Sequence, residues 1–275
     1  MSRRATSLAG LVYQVLPAAY AAGTRDSALP ISARSLYYQV RPRLQQHTDR
    51  DLAYNYFAYN LLPAYQREQA TLPGLYYDPR GELHEPHTRA RLQLGTREVA
   101  GYLLPAYTFN KLLYVEKKGL WPVLQQARLA ERYDMAVVVG EGQPVEAIRE
   151  LCERANSGAG YRVVVLHDAD HHGYSIARTL AEATARMPDH QVVVTDLGLS
   201  VEDAIAAGLP MEDYTRSKAL PSNLDLTPTA LEWFTGEPAG HKRWRCQRVE
   251  LNAFTGPDLI AYVEGKLQAA GATDK

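Results

Sequence analysis

Glu116, Asp168 and Asp170 are residues whose type and spacing suit the binding of a divalent cation. Glu116 closes the apolar run KLLYVE (111–116), and Asp168 closes a second, YRVVVLHD (161–168), with Asp170 two positions on. Residues two apart in extended chain point to the same side, so both aspartates can face one point. Ionised carboxylates that close repel, and Glu116 adds a third charge. A proton or a cation must relieve them. Mg2+ suits an all-carboxylate set, because it takes hard oxygen ligands and keeps waters or a substrate phosphate in its other positions; Mn2+ is the alternative ion. The same residues also read as an aspartate pair capping a helix that begins near Gly173, and a water-exposed Glu at a strand end. Their coincidence at one edge of one predicted sheet favours the metal.

That edge follows from the pattern of elements. Strand-like runs at 111–116, 135–139 (MAVVV), 161–168 and 191–196 (QVVVTD) alternate with helical patterns at about 119–132, 144–155 and 173–187. In the middle helix Ile148, Leu151, Cys152 and Ala155 keep helical spacing, with Pro144 suited to the first turn. Near-continuous apolar strands separated by helices predict a parallel sheet covered on both faces. Ligands of such sheets bind at the carboxyl ends of the strands, where all three acids fall.

A Glu ending one strand, a Gly-rich turn after the next and Asp-x-Asp ending the third resembles the Toprim pattern. More narrowly, YVEKKGLWPVL (114–124), VVVGEGQPVEAIR (137–149) and VVVLHDADHHGYSIARTL (163–180) resemble the A subunit of topoisomerase VI, a family that includes the protein that makes meiotic double-strand breaks. The resemblance implies metal ligands at Glu116, Asp168 and Asp170, a Gly-x-Gly-x-Pro turn at Gly140, Gly142 and Pro144 with a trailing Arg149, and a glycine at Gly173. RVELNAF (248–254) resembles the family's C-terminal Glu-Leu-x-Ala segment. His171-His172 departs from it, standing where the family usually has Pro and an aromatic residue. Asp170-His171-His172 also invites comparison with DHH phosphoesterases, which bind Mn2+; in those enzymes the Asp-x-Asp and Asp-His-His motifs lie on separate segments, whereas here they overlap in one loop. The two histidines read as hydrogen-bond partners of a phosphate or as helix caps.

Thirteen of the 18 tyrosines precede residue 115, and the long Val/Leu runs follow residue 110, which places a boundary near 105–110. The expected organisation is an N-terminal winged-helix domain (1–108) followed by a Toprim-type parallel-sheet domain (109–275) with a C-terminal extension. Helices at about 6–22, 32–45 and 49–69 precede a predicted hairpin, GLYYDPRGELHEP (74–86), with its turn at Asp78-Pro79-Arg80-Gly81. Three helices and a hairpin are winged-helix order. Residues 1–50 carry seven Arg (3, 4, 25, 34, 41, 43, 50) against Asp26 and Asp49, an electrostatic footprint for phosphate or simply a solvated basic surface.

The same family attacks DNA with a tyrosine in an Arg-acid-x-aromatic-Tyr stretch of its winged-helix domain. Arg34-Ser35-Leu36-Tyr37-Tyr38 matches it, with Ser35 in place of the acid. The resemblance makes Tyr38 the catalytic nucleophile, with Arg34 and Arg149 as phosphate or transition-state partners. A free phenol ionises near ~10, so a neighbouring guanidinium and a metal assist it. Arg-x-x-Tyr-Tyr is equally compatible with helix packing, one tyrosine in the core and the other outward. A second basic stretch, HKRWRCQR (241–248), interleaves cations with Trp244 and reads as a nucleic-acid grip or a solvated loop.

The net charge of −1 gives no global attraction for nucleic acid, and two cysteines exclude a disulfide framework or a Cys-based zinc site. The opening MSRRATSLAGLVYQVLPAAYAAG mimics a signal peptide, yet Leu8, Leu11, Val12, Val15 and Leu16 follow helical spacing. With no apolar run of ~18 residues, the expectation is a cytoplasmic, nucleoid-associated protein that does not enter membranes. The expected function is Mg2+-dependent cleavage of double-stranded DNA by a tyrosine transesterase; a Toprim nuclease using water, and a DNA-binding protein with a vestigial site, are the alternatives. The resemblance implies a homodimer and a separate ATPase partner, since the chain carries no Gly-x-x-x-x-Gly-Lys-Ser/Thr loop. About 30 residues precede Ile31, fewer than the family's partner-docking extension, so cleavage is expected ahead of supercoil relaxation.

Overall fold

The computed structural model describes residues 7–77, 81–105, 109–140, 146–158, 160–183 and 187–272. The chain forms two compact units, one built chiefly from residues 1–79 with 95–100, the other from 80–94, 101–183 and 189–275. Arg3 and Arg4 of the basic segment lie outside the described residues.

The first unit is helical. Ser7 caps the helix Leu8–Thr24, its side chain accepting from the Gly10 N–H. Val12, Val15, Leu16, Ala19 and Tyr20 recur at helical spacing and are its buried face. Ser32 caps the helix Ala33–Gln45 in the same way, accepting from the Ser35 N–H, and Leu36, Tyr37, Val40 and Leu44 are buried. The third helical run comprises Tyr54–Tyr56, a π turn at Phe57–Leu61, and Leu62–Glu68. Pro63 has no N–H with which to continue the ladder, and the helix widens just before it. Strand β1 (Ile31–Ser32) pairs in parallel with β2 (Leu75–Tyr76).

The three helices follow the predicted order; the predicted hairpin is corrected. Its first flank, β2, pairs with β1. Its second flank, β3 (Glu82–His84), pairs antiparallel with β4 (Arg91–Gln93) and with a strand of the second unit's sheet. Residues 78–80 of the predicted turn lie outside the described residues. The reason is burial. Leu83 becomes fully buried on the large sheet, where its register partner is Val138, and an unpaired apolar edge is the stronger template.

That sheet adds β5 (Lys111–Val115), β6 (Met135–Val139), β7 (Arg162–Leu166) and β8 (Val194–Asp196), in the order β4-β3-β6-β5-β7-β8. The last four strands run parallel, at the positions the apolar runs predict. Every residue of β6 is buried, as a strand covered on both faces requires. The helix Glu146–Glu153 falls within the predicted 144–155; His171–Ala181 starts near the predicted position but ends short of 187, because Glu182 is extended (ψ 155°). The one predicted at 119–132 is broken, because Arg128 adopts a left-handed conformation (φ 53°) between Trp121–Gln126 and Leu129–Arg132. The fold is mixed α/β with a mostly parallel sheet. Beyond it lie β9 (Glu212–Arg216), β10 (Glu237–Pro238) and β11 (Trp244–Arg248), ordered β10-β11-β9, and the helix Gly256–Ala269. Leu259, Val263 and Leu267 of that helix join Leu113, Val115 and Val137 in one core.

Candidate metal centre

Neighbouring parallel strands bring the acids together. β5 and β7 pair in register, Val115 opposite Leu166, so Glu116 and Asp168 leave the sheet side by side. The Glu116 N–H donates to the Leu166 carbonyl at 3.0 Å, and the Asp168 N–H donates to Glu116 Oε2 at 3.1 Å. Asp168 Oδ1 accepts from the Leu251 N–H at 2.8 Å, and Asp170 Oδ1 from the Gly173 N–H at 2.7 Å. Each carboxylate is thus aimed by one backbone N–H. Asp170 caps the helix that follows, as the capping reading of it expects.

Asp168 and Asp170 are 4% and 7% exposed. Burial first, and then the charges of Asp168 and Asp170, push the Glu116 carboxyl up to about 7. Burial likewise raises Asp168 above the ordinary carboxylate range, against the opposing pull of the Leu251 N–H and Lys117. Between about 4.5 and about 7 the folded Glu116 holds a proton that the unfolded chain has released, so stability falls as the pH rises through that window. We expect metal-free protein to lose on the order of 2 kcal/mol between about pH 5 and about pH 8 through this residue. Glu116→Gln should flatten the dependence. Denaturant midpoints in EDTA at both pH values check it, and equal slopes for the two proteins would overturn the assignment.

Sequence reasoning missed the cation beside the acids. Lys117 Nζ lies 3.0 Å from Asp168 Oδ2 and 2.5 Å from Glu250 Oε2. Glu250 also meets Arg248 at 3.0 Å, and Arg248 reaches Glu212 at 3.0 Å. Val249 forms an antiparallel bridge with Ala169, which carries the RVELNAF segment to the cluster. The resemblance of that segment was the available signal; its ion pair with Lys117, 133 residues away, was not.

Among the described residues, no group of three His, Cys, Asp or Glu side chains is gathered closely enough to hold a metal ion as placed. Gly142 and Pro144 of the expected turn lie outside the described residues. The chemistry of the donors nevertheless fits a hard divalent cation. Glu116 and Asp168 are neighbouring oxygen donors with Asp170 two residues on, Glu116 has a strongly raised pKa, and a positive charge already sits on Asp168. Two glycines of the motif have steric reasons. A methyl group on Gly173 would overlap the Asp168 carbonyl oxygen and His167 Nδ1, and one on Gly140 would overlap the Tyr114 hydroxyl.

The histidines are structural in part. His171 is 6% exposed, its Nδ1 lies 2.6 Å from the Tyr214 hydroxyl, and burial depresses its pKa to about 4. The ring is thus neutral and hydrogen-bonded to tyrosine. His172 is exposed. His167, which the sequence did not single out, bridges the Asp168 carbonyl at 2.6 Å and Asp196 at 3.0 Å, fixing the loop's start.

Arg149 is not brought to the acids. It is 3% exposed, and its guanidinium donates to the Thr179 and Glu182 carbonyls at the end of the helix His171–Ala181. There it meets the negative end of the helix dipole. In the first unit, Tyr37 is buried and donates to the Leu52 carbonyl at 2.7 Å, whereas Tyr38 is 57% exposed. Arg34, four residues earlier and also exposed, lies over the Tyr54 ring at 4.4 Å. In the basic stretch, Trp244–Arg248 is strand β11, Arg216 lies over Trp244 at 4.6 Å, and residues 241–243 and Arg245 are exposed.

Comparison with known proteins gives two findings. Residues 111–230 match the family described as the Toprim domain of the topoisomerase 6 A subunit and Spo11. A stretch of 121 residues is 27% identical to the A subunit of type 2 DNA topoisomerase 6 from Methanothermobacter thermautotrophicus, covering 40% of this chain and 34% of that protein. The match therefore spans about a third of the relative's length. Among the described residues, no helix is long and apolar enough to cross a membrane.

Proposed function

We propose, for a chain whose residues 111–230 carry the Toprim domain of the topoisomerase 6 A-subunit and Spo11 family, that it cleaves double-stranded DNA by transesterification. The observation that carries this reading is the convergence of Glu116 and Asp168 at the carboxyl edge of the sheet, inside the matched segment, with Asp170 on the same loop. In this reading Glu116, Asp168 and Asp170 hold Mg2+, or Mn2+, which supplies charge stabilisation to the phosphate when bound. Tyr38 Oη attacks phosphorus and forms the phosphotyrosyl bond, the bond from phosphorus to one deoxyribose oxygen breaks, and the phenol's proton is delivered to that oxygen, which leaves as a hydroxyl. Arg34, on the same exposed helix face, orients the phosphate. Arg149 supports the helix that follows the acids and acts at a distance from the reacting atoms.

A tyrosine on one unit and a metal centre on the other is compatible with a homodimer that completes each site between its two copies. The relative's name makes it one subunit of a larger enzyme, which supports a second subunit as partner; that this partner hydrolyses ATP is what the family resemblance implies. A nucleophilic water in place of Tyr38 is the second reading. It is favoured by the family match starting at residue 111, beyond the tyrosine, and by Ser35 in place of an acid.

One gel separates the two. Supercoiled DNA is incubated with the whole protein and Mg2+, the reaction is stopped with detergent, and half is digested with protease. We expect linear or nicked DNA whose mobility shifts on protease treatment, because a phosphotyrosyl bond leaves protein on the ends. Cleaved DNA with free ends in both halves would replace transesterification by hydrolysis.

A further inference from the structure

Lys117 occupies a position that the proposed role of Glu116 alone does not explain. Its ammonium lies 3.0 Å from Asp168 Oδ2, the oxygen left over once the Leu251 N–H has taken Oδ1. It has a second anchor, Glu250, outside the three proposed ligands. Glu250 is itself held by Arg248, and Arg248 by Glu212 of the antiparallel sheet. The side chain is only 21% exposed, so both contacts are made in a partly desolvated setting where charge counts. A lone cation bound to a carboxylate needs no second acid; one with two acids in reach can leave either without becoming unpaired.

We propose that Lys117 is a built-in placeholder cation, neutralising Asp168 while the acid cluster lacks a divalent ion and withdrawing onto Glu250 when one binds. The inference rests on the metal reading above and deepens it. Two positive charges on one carboxylate repel, so Lys117 sets how tightly the cluster takes Mg2+, and Glu250 decides how easily Lys117 gives way. Lys117 is a positioning residue in this account, acting through Asp168. The antiparallel sheet gains a function too, since β9 and β11 supply the charges that anchor Glu250.

The test uses the full chain stripped of metal, with Mg2+ binding measured by calorimetry and unfolding followed thermally in EDTA. Four proteins are compared: wild type, Lys117→Met, Glu250→Gln and the double variant. Lys117→Met should bind Mg2+ roughly tenfold more tightly and melt earlier without metal, so that its melting temperature rises more on adding Mg2+. Glu250→Gln should weaken Mg2+ binding, because Lys117 then has only Asp168. Most of that weakening should vanish when Lys117→Met is added. Equal affinity in wild type and Lys117→Met, or a Glu250→Gln effect of the same size with and without Lys117, overturns the inference and leaves the metal reading standing. If Lys117→Met does not fold, Glu250→Gln binding Mg2+ as tightly as wild type overturns it alone. No Mg2+ binding by any of the four overturns the metal reading and the inference together.

Discussion

Asp168→Asn should abolish Mg2+-dependent DNA cleavage, by at least about a hundredfold, while the protein keeps its fold. The amide is chosen for the fold. Asp168 is not a spare carboxylate among repelling ones: Oδ1 accepts from the Leu251 N–H and Oδ2 meets Lys117. Truncation to alanine would strand a buried N–H, at a cost of about 1–3 kcal/mol, and confuse lost activity with lost structure. Asparagine keeps the acceptor and removes the charge. Lys117 retains Glu250, so the ammonium is not left without an acid. Glu116→Gln should be similarly inactive yet no less stable near neutral pH, because it removes a carboxylate that the fold holds at about 7. Cleavage assays with purified, folded variants, checked by circular dichroism, decide the matter. Undiminished cutting by both would remove these acids from the mechanism.

The parallel core was legible because its strands are buried on both faces. A strand such as MAVVV has no polar alternation to misread, and its neighbours announce themselves the same way. Once the strands were assigned, the sheet rule placed Glu116 and Asp168 at the same edge; that β5 and β7 are neighbours, which sets the two side by side, was not in the sequence pattern. Tyr37 and Tyr38 were partly legible too. Helix packing called for one tyrosine inward and the other outward, and the structure buries Tyr37 with Leu36, Val40 and Leu44 and leaves Tyr38 exposed. What failed depended on choices a local pattern does not encode. The flanks at 74–86 have good strand and turn chemistry, yet β3 pairs with β4 and with β6 of the large sheet, and not with β2 across the predicted turn. Arg149 trails a Gly-rich motif and reads as a phosphate ligand, but its helix turns it inward to two carbonyls. Lys117 pairs with an acid 133 residues on, a separation no spacing rule reaches.

Tyr38→Phe is the variant that divides the two proposed chemistries most widely. Phenylalanine keeps the ring and removes only the oxygen that would attack phosphorus. Tyr38 is 57% exposed, so its packing contribution is small and the variant should fold as wild type does. If the phenol is the nucleophile, cleavage and protein-linked DNA ends should both disappear, while Mg2+ binding is unchanged because the acids are untouched. Tyr37→Phe should behave differently in kind. Its hydroxyl is buried and donates to the Leu52 carbonyl at 2.7 Å, so losing it should cost roughly 0.5–1.5 kcal/mol of stability. Linked ends should persist, since a hydroxyl already committed to a main-chain carbonyl inside the core has no access to DNA. Normal cutting with protein-free ends by Tyr38→Phe would transfer the reaction to water held by the acid cluster. Linked ends that survive Tyr38→Phe would keep the covalent chemistry and move it to another tyrosine. The exposed Tyr56 and Tyr59 of the third helical run are then the next to replace, because a nucleophile must first be reachable by the backbone it attacks.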